Sequence, residues 1–128
     1  MNEPHIFNFQ IAYADTDAGG VVYHARYIEI AERARMAWKR GIMLPDGDIG
    51  FAVTKLSARY MRPFRLGDMV RVETIATKLG SASMEIEHKF FSEDNQQHAL
   101  INVTAAYIGG DFRPKRIPEE IIKAINNK

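Results

Sequence analysis

The sequence predicts an α+β domain: a five-stranded antiparallel sheet wrapped around one long central helix. Three observations support this. One strand-like segment is followed by one helix-like segment, and four strand-like segments come after it. The links between those last four are short and carry Gly, Pro, Asp and Asn, which favours antiparallel neighbours. A single amphipathic helix covers only one face of such a sheet, so the sheet has to curl around it. The 128 residues suit one domain, and no repeat, linker or low-complexity segment divides them, so residues 1–128 are read as one unit.

The elements follow in order. Ile6 to Ala14 alternates, with Phe7, Phe9, Ile11 and Tyr13 on one side and Asn8 and Gln10 on the other, as in a half-buried strand. Tyr27 to Arg40 places Tyr27, Ile30, Ala31, Ala34 and Trp38 at helical spacing, widened unevenly by Ile28, Arg35 and Ile42. Glu29, Glu32, Arg33, Lys39 and Arg40 form its wet face, and Glu29 and Arg33 stand four apart in the favourable order for an ion pair. Met36 and Trp38 are expected in the core, and Gly41 stops the helix. "MLPDGDIG" reads as a loop, Phe51 to Tyr60 as a second strand, and "RPFRLGD" as a turn broken by Pro63 and Gly67.

Met69 to Lys78 sets Val70, Val72 and Thr74 against Arg71 and Glu73. After Gly80, Met84, Ile86, His88 and Phe90 face away from Glu85, Glu87 and Lys89. "SEDNQQ" is a polar hairpin turn, and Ala99 to Ile108 is the last and most apolar strand. "GGDFRPKRIPEE" is a turn-rich exit, with Pro118 opening a short final helix through Ile125.

Composition narrows the function. The formal net charge is +1, without the basic excess expected of a dedicated nucleic-acid binder. The chain has no cysteine, which excludes disulfides, zinc–thiolate sites and cysteine nucleophiles. His5, His24, His88 and His98 are scattered, with no two at i, i+4 spacing, so no metal site is expected. No G-x-S-x-G motif is present, which argues against a serine-hydrolase elbow. No apolar run approaches the ~20 residues needed to span a bilayer. "MNEPHIFNF" has neither a basic start nor a signal-type apolar core, so a cytoplasmic protein is expected.

Chemistry concentrates in "DTDAGGVVYHARY", Asp15 to Tyr27. Carboxylates and glycines directly before a helix fit three purposes: a helix cap, a phosphate loop or an active site. Asp15 and Thr16 are ordinary capping residues. "DAGG" lacks the GxxxxGK[ST] pattern of a phosphate loop. For an active site, a helix opening near Val22 to His24 offers unpaired amides and a partial positive charge to a bound carbonyl. Such donors stabilise the oxyanion that forms on attack. Asp17 can attack the carbonyl or activate a water, and His24 can hold substrate, orient water or move a proton.

The segment "YADTDAGGVVYHARYIEIAERAR" resembles the signature of the hotdog-fold acyl-CoA thioesterases, in the branch of the 4-hydroxybenzoyl-CoA and YbgC-like thioesterases. The motif, Tyr-x-Asp-Thr-Asp-x-x-Gly-Val-Val-Tyr-His-x-x-Tyr, is matched from Tyr13 to Tyr27. "LSARYMRPFRLGD", "KLGSASMEIEH" and "RPKRIPEEI" resemble later pieces of the family in the expected order, so the likeness covers nearly the whole chain.

The resemblance implies a hotdog fold in which two subunits join edge to edge, often pairing again into tetramers. It implies hydrolysis of an acyl-CoA thioester without metal, nucleotide cofactor or redox group. Asp17 would be the catalytic carboxylate, as nucleophile or general base, and the backbone amide at His24 the oxyanion donor, with the His24 side chain assisting. Tyr13, Gly20, Tyr23, Arg62, Ser81 and Ser83 are the candidate substrate-binding residues, Ser81 and Ser83 standing near the coenzyme A phosphates. Arg59 and Arg65 flank Arg62 around the Pro63 turn, and Lys55 is a weaker candidate. Glu32 is read as an exposed charge or a polar group in a dimer seam. Acyl carrier protein is a further candidate partner. Two alternatives keep the same pocket: a module that binds acyl ligand or acyl carrier protein with little turnover, and a hydroxyacyl dehydratase that leaves the thioester intact.

Overall fold

The computed structural model describes residues 3–128. Strand β1 (His5–Gln10) is followed by a 3-10 turn (Tyr13–Asp15) and helix α1 (His24–Trp38). Strands β2 (Gly50–Tyr60), β3 (Met69–Leu79), β4 (Ser83–Phe91) and β5 (Gln97–Ile108) come next, then helix α2 (Glu119–Asn126). The strands form one five-stranded sheet in the order β1-β3-β4-β5-β2, with every neighbouring pair antiparallel. The chain leaves β1 at one edge and returns as β2 at the other, and α1 lies on the inner face between them.

Periodicity explains why these segments pack. The buried residues of α1 are Tyr27, Ile30, Ala31, Ala34 and Trp38, the stripe that the spacing predicts. The first four meet Val70 and Val72 of β3, Phe90 of β4 and Ile101 and Val103 of β5. Met84, Ile86, His88 and Phe90 all face inward and are buried. A second cluster around Trp38, Met84, Ile86 and Tyr107 is closed by Ile117, Ile121 and Ile125, so α2 and its approach plug one end of the sheet. Pro118 is the N-cap of α2, close to the start expected of it.

Several expectations are corrected. The first strand ends at Gln10 rather than Ala14, and Tyr13 turns outward at 81% exposure. Helix α1 starts three residues earlier than Tyr27, because Val22 is fixed by pairing with Phe64 rather than by apolar periodicity. Met36 is 61% exposed and not in the core. Glu29 pairs with Arg26, one turn earlier, and not with Arg33. Strand β2 is an open edge: eight of its eleven residues are exposed, and the pairing slips at a bulge between Val53 and Lys55. Among the described residues, no helix is long and apolar enough to cross a membrane.

Candidate active site

Asp15 and Asp17 stand two residues apart and do different things. Asp15 is buried. One carboxylate oxygen accepts the Ala12 amide at 2.8 Å, and the other faces Arg26 Nε at 3.4 Å. Arg26 also donates to the Ala14 carbonyl at 2.7 Å. Asp15 therefore closes the 3-10 turn and ties it to the first turn of α1. It does not cap that helix, whose N-cap is Tyr23.

Asp17 opens a three-residue hairpin. Its amide donates to the Val21 carbonyl at 2.9 Å, and the Gly20 amide donates back to the Asp17 carbonyl at 3.0 Å. Gly20 sits at φ +78°, the left-handed position such a loop needs, which is why glycine stands there. Asp17 Oδ1 accepts the Gly19 amide at 2.8 Å, and the side chain is otherwise exposed. The hairpin brings Thr16 opposite Val22 and lets the Tyr23 amide reach the Asp15 carbonyl at 3.1 Å. The Asp15–Asp17 segment thus runs beside the residues that enter α1.

The helix opening has no side-chain cap. Among the described residues, no acceptor meets the amides of His24 and Ala25. These are free donors at the positive end of a fifteen-residue helix. The linker between β2 and β3 braces the opening. Val22 donates to the Phe64 carbonyl at 2.9 Å, the Phe64 amide donates to the Tyr27 hydroxyl at 3.1 Å, and Val21 bridges Arg65. Burial raises the Tyr27 phenol above its ordinary pKa, so it stays protonated.

A pocket of about 220 Å³ opens beside this end of the helix and is lined by His24, Tyr27, Tyr60, Arg62 and Pro63 among others. The Tyr23 ring lies against His24, with centroids 4.7 Å apart, and Tyr60 meets His24 and Tyr27 edge-on. Of the expected site residues, the structure gathers His24 and Arg62 in this pocket, with Tyr23 against His24. Asp17 and Gly20 lie in the adjoining hairpin. Tyr13 lies in the 3-10 turn, its carbonyl accepting the Thr16 hydroxyl at 2.9 Å.

Ser81 and Ser83 lie elsewhere. Ser83 pairs with Ala106, whereas Tyr60 shares a row with Ala99 and Phe90. Seven residues along β4 place the two rows about 23 Å apart. Ser81 instead lines a cavity with Lys115, Arg116 and Glu119 at the α2 end. Arg59 and Lys55 belong to the outward row of β2, beside Leu100 and Thr104. Sequence reasoning missed Tyr60, the pocket wall that reaches the helix opening. Its one signal was its place in "RYMRP".

Comparison with known proteins supplies the context. Residues 19–99 match the thioesterase superfamily. The chain is similar to the acyl-CoA thioesterase YbgC of Haemophilus influenzae, at 30% identity over 127 residues, covering 94% of this chain and 93% of that one. It is similar to the crystal structure of a probable thioesterase from Bartonella henselae, with TM-score 0.81 and 28% identity over 90% of this chain and 99% of that one. A 1,4-dihydroxy-2-naphthoyl-CoA thioesterase from Synechocystis, Slr0204, shares the fold at TM-score 0.87 and 20% identity, over 97% of this chain and 96% of that one.

Proposed function

The chain belongs to the thioesterase superfamily, and from that membership we propose that it hydrolyses acyl-CoA thioesters at the pocket beside His24. The observation that carries the reading is the uncapped start of α1: free amides stand next to a hairpin that presents an exposed carboxylate. The thioester carbonyl accepts from these amides, which favours the negative charge that develops on its oxygen. One such donor is worth roughly 3–4 kcal/mol in a transition state.

Asp17 then acts by one of two routes. As general base it takes a proton from water while the water oxygen bonds to the acyl carbon. As nucleophile it bonds to that carbon itself, and water cleaves the resulting anhydride. In either case the C–S bond breaks, the sulfur takes up a proton, and a carboxylic acid leaves with free coenzyme A. His24 and Tyr23 position the acyl group or the water, and Tyr13 and Gly20 shape the approach.

The active unit is a dimer joined through the open edge of β2. Arg62 and the Ser81–Ser83 turn are too far apart in one chain to serve the same end of one coenzyme A. Antiparallel pairing of two β2 edges brings the far end of one sheet beside the near end of the other, so the phosphates meet Ser81 and Ser83 of the second copy. Pairing of such dimers gives a tetramer. The substrate implies a cytoplasmic setting, and acyl carrier protein, which presents the same pantetheine thioester, is a second carrier to test. Free-thiol detection across aromatic, short-chain and medium-chain acyl-CoAs tests the reading. Turnover of at least one supports it, and no thiol release from any of them removes it.

A further inference from the structure

His98 lies outside the pocket, yet its contacts run toward the helix opening. It is the second residue of β5 and is buried. Its carbonyl accepts the Met61 amide at 2.8 Å and the Arg62 amide at 3.1 Å, which fixes the start of the linker between β2 and β3. Its imidazole lies flat on the Phe64 ring, with centroids 4.0 Å apart and planes 11° from parallel. The Tyr27 ring also faces Phe64, but at 6.1 Å, so His98 makes the closer aromatic contact. Nδ1 of His98 is buried, and among the described residues no hydrogen-bond partner reaches it.

Phe64 is where the linker meets α1. Its carbonyl accepts the Val22 amide at 2.9 Å, and its amide donates to the Tyr27 hydroxyl at 3.1 Å. The residue before the N-cap and a residue of the first turn are therefore both held by one residue of the linker. In a close-packed interior, a ring stays in place through what packs on it. We propose that His98 is a positioning residue: its ring seats Phe64, and Phe64 sets the opening turn of α1, whose amides face the thioester carbonyl. The role asks for a flat ring, since the stack and not a bond at Nδ1 joins His98 to Phe64. Its catalytic consequence rests on the reaction proposed above, whereas its structural part is read without turnover.

Steady-state thiol release and amide hydrogen exchange of the full chain test the two parts. His98→Ala removes the ring and keeps the carbonyl. kcat should fall about tenfold with KM within about twofold of the parent, because the displaced donors act on charge that develops in the transition state. His98→Phe restores a flat ring and should bring kcat back to within about twofold of the parent. The Val22 amide should exchange about tenfold faster in His98→Ala, a local opening. The Tyr107 amide, bonded to Ala82 at the other end of β5, should keep its rate. His98→Leu fills the volume without a flat ring and carries the test if the alanine variant fails to fold. If His98→Phe fails to fold, Phe64→Leu closes a double-mutant cycle: the double variant with His98→Ala should be no slower than the slower single one. Unchanged kcat in folded His98→Ala would overturn the proposal. So would His98→Phe as slow as His98→Ala, which would assign the effect to an imidazole nitrogen. Equal acceleration of the Val22 and Tyr107 amides would overturn it by showing a ring that only stabilises the fold. If the parent releases no thiol from any acyl-CoA, the reaction reading fails, and exchange at Val22 alone decides whether His98 seats the opening.

Discussion

The hydroxyl of Tyr60 donates to the backbone carbonyl oxygen of His24 at 2.8 Å. The last residue of β2 thereby holds the first peptide of α1, whose other end is the Ala25 amide. Edge strand and helix opening are one mechanical unit. Tyr60→Phe keeps the ring against Tyr27 and His24 and removes only this bond. A hydrogen bond of this kind is worth about 1 kcal/mol net, so kcat/KM for thiol release should fall about fivefold. Unchanged kinetics would show that the helix opening holds itself.

Asp15 and Asp17 should separate in a stability measurement. Asp15→Ala removes a buried carboxylate that holds the Ala12 amide and the half-buried Arg26, and should lower unfolding free energy by about 1–3 kcal/mol in urea titrations. Asp17→Asn keeps an oxygen for the Gly19 amide on an exposed turn, and should stay within about 0.5 kcal/mol of the parent.

Gly20 offers a backbone test. Nothing lies within 4 Å of a Cβ added there, so the cost of Gly20→Ala is conformational and not steric crowding by neighbours. A left-handed alanine costs roughly 1–2 kcal/mol, and asparagine should cost less. Thermal unfolding should rank the variants Gly, Asn, Ala, and thiol release should follow the same order as the hairpin shifts Asp17.

His88 ties stability to pH. It is fully buried, with Arg35 at Nε2 and the Thr74 hydroxyl 2.8 Å from Nδ1. Nε2 accepts from the guanidinium, so Nδ1 carries the proton. Its folded pKa of about 3 lies below the ordinary 6.5, so the unfolded chain takes up a proton that the folded chain refuses. This contribution is complete above pH 6.5 and is lost as pH falls toward 3. The slope within that window is ~1.4 kcal/mol per pH unit. Urea titrations between pH 7 and 5 should show it, and His88→Gln should flatten it.

Much of the fold was legible because burial follows period. The α1 stripe and the alternation of Val70, Val72 and Thr74 or Met84, Ile86, His88 and Phe90 match the buried faces. Ends were harder. Gln10 ends β1 because Asp15 captures the Ala12 amide, a local side-chain bond that competes with the ladder and leaves no trace in hydrophobicity. The start of α1 depends on Phe64, more than thirty residues away. Met36 fits a core pattern by type but lies on the exposed side of α1. For the site, the Asp-Thr-Asp to His motif located the hairpin and the helix opening. The different tasks of Asp15 and Asp17, and the reach of Tyr60, arise from tertiary contacts that no spacing encodes.

The most direct test compares the parent and Asp17→Asn in steady-state thiol release from the best acyl-CoA, both proteins first matched for folding by circular dichroism. The account predicts a drop in kcat of at least roughly 10²-fold, the scale of a lost general base or nucleophile. Equal rates from the two would contradict it and take the exposed carboxylate out of the reaction.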